Sequence, residues 1–156
     1  MGCGAAGGSG GAEGGCVGGG EGAGRACATL RFVRDAPQGP ERDATGDRGF
    51  YYHFLHMDSG RRAWESELST IDTTFLLAGM LACAACFDLD TPAEREIRET
   101  AESLYRRVDW DWARNGAPAV THGWKPESGF LRYHWTGYNE ALLLYVLGLG
   151  SPTHPL

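Results

Sequence analysis

The stretch that most constrains this chain is residues 71–87, IDTTFLLAGMLACAACF, an apolar run broken by Asp72 and two threonines. At 1.5 Å per residue, it predicts a helix about 25 Å long. It falls short of the roughly 20 apolar residues that a bilayer span needs. With Ala78, Gly79, Ala82, Ala84 and Ala85 along it, the run reads as a helix buried in a helical core. A helix apolar nearly all round needs neighbours on more than one side. Ser69 followed by Asp72 reads as a capping box at its start. Capping accounts for Asp72 but less well for Glu67, which lies two places before the cap.

The flanking sequence supplies the neighbours. Thr91-Pro92-Ala93-Glu94 is a helix start, followed by an apolar stripe of Ile97, Ala101, Leu104 and Val108. This is an outer helix packed on the central one. Thr136 then caps a third helix through Leu142 to Leu147, ended by Gly148, Gly150 and Pro152. Residues 49–64 alternate with period two and turn at Asp58-Ser59-Gly60, and residues 122–135 turn near Glu127, so each reads as a hairpin. The expected class is therefore all-α, with short β-hairpins in the connecting loops. The third helix lacks an outer mate. Residues 1–48 are expected to be a glycine-rich, largely disordered segment, with RACATLRFVRD as a short strand or helical turn. Residues 49–156 are expected to form the folded domain.

Composition narrows the function. A net charge of −6 and no clustered basic stretch exclude a nucleic-acid groove. The glycine-rich start lacks the Gly-Lys-Ser/Thr end of a phosphate loop. It also lacks the basic and apolar parts of a secretory signal. Cys83 and Cys86 form a C-x-x-C pair inside an apolar helix, without the helix N-terminus that makes such thiols reactive. They read as buried and inert. The histidines give no metal site: His53 and His56, three apart on an extended stretch, read as structural or edge-of-site residues.

The chemistry resides where acids meet aromatics. Glu67 precedes one apolar helix and Glu140 opens another. If both face one end of the core, they form the carboxylate pair that glycoside hydrolysis requires, one donating a proton and the other activating water or attacking. Trp64, Trp124, Trp135, Tyr133 and Tyr138 can stack on sugar rings, and Arg62, His122, Lys125 and Asn139 can bond hydroxyls.

The motifs ELSTIDT (residues 67–73) and GYNEALLLYVLGLGSPTHP (residues 137–155) make residues 49–156 resemble the bacterial glucoamylase-like family. That family includes endo-β-1,2-glucanases and the related region of cyclic β-1,2-glucan synthases. The resemblance implies an (α/α)6 toroid, of which this chain carries a fragment. It also implies an oligo- or polysaccharide substrate, no cofactor, inverting hydrolysis of β-1,2-glucan and a periplasmic or otherwise extracytoplasmic setting. Carried over by motif, the catalytic positions are Glu140, Glu67 and Asp72. Glu140 is expected to be the general acid, and Glu67 or Asp72 to orient or activate water. With the remainder of the toroid missing, the chain alone is expected to be inactive. The alternatives are the toroid region of a cyclic glucan synthase and a noncatalytic carbohydrate-binding helical module.

Overall fold

The computed structural model describes residues 20–156; the disorder expected of residues 1–19 lies outside the described residues. The helices are α1 (Gly20–Asp35), α2 (Thr70–Cys86), α3 (Pro92–Arg107), the single turn α4 (Trp110–Ala113) and α5 (Leu142–Leu149). The strands are β1 (Gly46–Asp47), β2 (Phe50–Tyr52), β3 (Leu68–Ser69), β4 (Gly123–Lys125) and β5 (Gly129–Phe130).

The cap expected at residue 69 is present. Ser69 accepts from the Asp72 N–H and starts α2. Thr91 accepts from the Glu94 N–H and starts α3, with Pro92 in its first turn. α3 buries Ile97, Ala101 and Leu104 and packs against both α1 and α2.

Three expectations are corrected. First, the chain is helix-rich but not all-α. The two hairpin regions join in one antiparallel sheet of order β1-β2-β3-β4-β5. Leu68 pairs with Trp124 and Ser69 with Gly123 across the seam. Gly123 permits that seam, since a Cβ there would stand 2.3 Å from the Leu68 carbonyl oxygen. Second, the ordered part begins well before residue 49. α1 buries Ala23, Cys27, Leu30 and Val33 at helical spacing. Arg31 forks onto Glu96 of α3 at 2.6 and 2.5 Å. Tertiary packing thus overrides the poor helix propensity of a segment containing Gly20, Gly22 and Gly24.

Third, the central apolar helix is only partly enclosed; so is α5, for which the sequence already offers no outer mate. α2 buries Thr70, Thr73, Thr74, Leu77 and Met80, while Phe75 and Gly79 face outward. Cys86 is exposed and disulfide-bonded, and Cys83 is a half-buried free thiol. α5 buries Leu144 and Gly148 but exposes Leu142, Val146 and Leu149.

A second tie crosses the sheet. Arg62, its side chain 1 % exposed, grips Glu127 in the β4–β5 turn at 2.7 and 3.0 Å. It also donates to the Ser66 and Arg42 carbonyls and lies over the Tyr52 ring at 4.6 Å. The paired guanidinium pulls the Glu127 carboxyl down to about 2, with Arg42 adding to the effect. Two measurements check this account. Gly123→Ala should cost about 2 kcal/mol in urea unfolding, because backbone must move to admit the methyl group. Glu127 is held below the roughly 4.3 of an unfolded glutamate, so its contribution is present above that value and lost as pH falls toward 2. The stability gap between wild type and Glu127→Gln should therefore close over that interval.

Candidate active site

The loop from β2 toward β3, the entrance to α2 and the second hairpin meet at one end of α2. At their centre is His53. Its backbone N–H donates to the Glu67 carbonyl at 2.9 Å, extending the β2–β3 pairing by one residue. The same register sets its Nδ1 2.8 Å from Glu67 Oε1. Its Nε2 stands 3.6 Å from Asp72 Oδ2. Asp72 is fixed in turn by the Ser69 hydroxyl, which donates to it at 2.5 Å. Two of the three expected carboxylates are thus brought together, by a histidine whose role the sequence left at the edge of the site.

Partial burial pushes the Glu67 carboxyl upward. That push is outweighed by its own backbone N–H, by His53 and by the Lys125 charge, and the group rests below the usual glutamate value. An ionised carboxylate with one proton-bearing partner can serve as a base or hold a water. It is poorly matched to donating a proton. Only a doubly protonated imidazole can donate from both ring nitrogens, one toward each acid.

The remaining expected residues divide by surroundings. Arg62, assigned above to sugar hydroxyls, is instead buried and taken up by Glu127 and two carbonyls. Trp124 is half-buried with its ring 5.9 Å from Trp112, as part of the core. Trp135 donates its indole N–H to Thr70 at 3.1 Å and stacks on His122 at 3.9 Å. These two rings brace the α2 entrance and keep an exposed edge. Lys125 lies near Glu67, on β4. Trp64, Tyr133 and Tyr138 are exposed.

Glu140 is not in a first helical turn. α5 starts at Leu142 with no side-chain cap, and Glu140 is exposed in the turn before it. The reason is local. Asn139 donates to the Thr136 carbonyl and accepts from the Ala141 N–H, and Gly137 adopts φ +78. Such side-chain bonds compete with helix extension. Among the described residues, no hydrogen bond or ion pair joins Glu140 to the His53 cluster.

His53→Phe would keep the ring stack on Phe54, at 4.1 Å and 11°, while removing both nitrogens. The Glu67 carboxyl should then titrate at higher pH, as read by its side-chain carbon-13 shift. An unchanged midpoint would show that the imidazole does not hold it.

No protein-family model matches the chain. An exo β-1,2-glucooligosaccharide sophorohydrolase of Parabacteroides distasonis is 26 % identical over 87 residues, which is 54 % of this chain and 12 % of that protein. A candidate glucoamylase of Bacteroides caccae superposes with a TM-score of 0.75 at 28 % identity, over 87 % of this chain and 32 % of its own. An endo-β-1,2-glucanase of Chitinophaga pinensis superposes with a TM-score of 0.76 over the same shares at 24 % identity, a likeness of fold. The chain thus spans about an eighth of the curated relative and about a third of the solved chains. It is related, over that part of their length, to the bacterial glucoamylase-like proteins and β-1,2-glucan hydrolases that its motifs resemble.

Proposed function

We propose that this chain carries part of the substrate cleft of a β-glucan glycoside hydrolase, with β-1,2-glucan as the substrate. The observation that carries the reading is the convergence of Glu67 and Asp72 on His53 at the mouth of α2, beside exposed aromatics. Similarity to β-1,2-glucan hydrolases supports the same substrate class.

In this reading Glu67, kept ionised, holds or deprotonates the attacking water, and Asp72 orients the imidazole between them. Glu140 is the general acid. It stands in an exposed turn, whereas a general acid is ordinarily housed in a drier, more enclosed setting. The outward apolar surfaces of α2 and α5 are where further inner and outer helices of an (α/α)6 toroid would supply that setting. His122, Lys125, Trp135, Tyr133, Tyr138 and Asn139 are the sugar contacts of this reading, and an extracytoplasmic location belongs to the same proposal.

Activity is proposed for the assembled domain rather than for this chain alone. When the chain is extended to the length of its relatives, Glu140→Gln should lower reducing-sugar release from β-1,2-glucan about a thousand-fold and leave sugar binding intact. Unchanged turnover would remove Glu140 from the mechanism. Clear turnover by the isolated chain would defeat the claim that missing helices complete the site.

A further inference from the structure

Trp64 is the most conspicuous conformational outlier near the acids. It is 77 % exposed and adopts φ +53, in the left-handed region that bulky residues rarely enter. Such a conformation persists where the surroundings enforce it, and it collects at ligand-binding positions. Here the enforcement is visible. The Ser66 N–H donates to the Ala63 carbonyl at 3.3 Å, and the Ala63 N–H to the Phe54 carbonyl at 2.9 Å. Buried Arg62 clamps the Ser66 carbonyl at 2.7 Å. The turn is closed from beneath, and the indole is lifted into solvent.

The raised ring does not stand alone. Phe54, 48 % exposed, meets Trp64 edge-on at 5.4 Å and lies flat on His53 at 4.1 Å. The three rings form a ledge running from open solvent to the imidazole that holds Glu67. A pyranose presents a C–H face that packs on an aromatic ring, and hydroxyls at its rim that remain hydrated. An exposed aromatic ledge ending at a carboxylate fits that ligand better than it fits a fully apolar one.

We propose that Trp64, Phe54 and His53 form a glucosyl-binding subsite that leads a glucan chain to Glu67, with Trp64 as the stacking platform. The inference rests on the glucan reading above and adds a place for one sugar ring. The backbone strain at Trp64 is kept because display of the indole requires it.

The test uses the 156-residue chain and sophorose, the β-1,2-linked glucose disaccharide, with binding followed by saturation-transfer NMR and melting followed in parallel. Trp64→Ala and Trp64→Gly should each weaken binding about tenfold, whereas Trp64→Tyr keeps most of it. Trp64→Gly should melt about 3 °C above Trp64→Ala, since glycine adopts the left-handed conformation without strain. Met57→Ala, at a fully exposed position away from the ledge, should change neither. Sophorose binding by Trp64→Ala equal to wild type would overturn the subsite alone. Absence of binding by wild type would overturn the subsite, while the glucan reading stands or falls on turnover by the chain extended to the length of its relatives.

Discussion

The Arg62–Glu127 pair is the interaction on which the site depends. An arginine removed from water must meet acceptors for its donors, and a lone buried guanidinium would be costly. Arg62 meets Glu127 and two carbonyls. One side chain therefore fixes the second hairpin, the turn bearing Trp64 and the segment ahead of the sheet. The seam at Leu68 and Ser69 brings β4 beside the α2 entrance. Once both ties are made, Lys125 stands near Glu67, and Trp135 reaches Thr70.

The helices serve as a rack for that end. α3 takes α1 on one flank and α2 on another, and α5 lies against α2. None of the four encloses the others. The apolar composition of α2 and α5 exceeds what the described residues bury, and the surplus lies on surfaces that relatives three times as long have more chain to cover. The candidate site lies at the strand-rich end, where backbone hydrogen bonds between strands fix the geometry.

What could be read from sequence was what neighbouring residues decide. The Ser69 and Thr91 caps, the α3 stripe and the turns of both hairpins depend on spacings of a few positions, and all are present. Pairing between the hairpins was hidden, because two-residue strands leave no periodicity to find. His53 reads only as a structural or edge-of-site residue for a similar reason: its partnership with Glu67 comes from a register between segments fourteen positions apart. α1 reads as no more than a short strand or helical turn because glycines suppress its signal, while the burial that rescues it comes from α3, more than sixty positions away. Arg62 reads as a ligand contact because residue type alone does not reveal burial. The start of α5 was displaced by Asn139, whose own hydrogen bonds favour a turn over another helical residue.

The acidity of Glu127 separates the scaffold from the candidate site. A carboxyl held at about 2 by its arginine keeps its charge through any mildly sour surroundings. The joint between the hairpins therefore remains intact while groups nearer the solvent gain or lose protons. If the proposed hydrolysis holds, conditions that alter turnover need not loosen the frame beneath it, and a bell-shaped rate profile would report reacting groups rather than a partially opened protein.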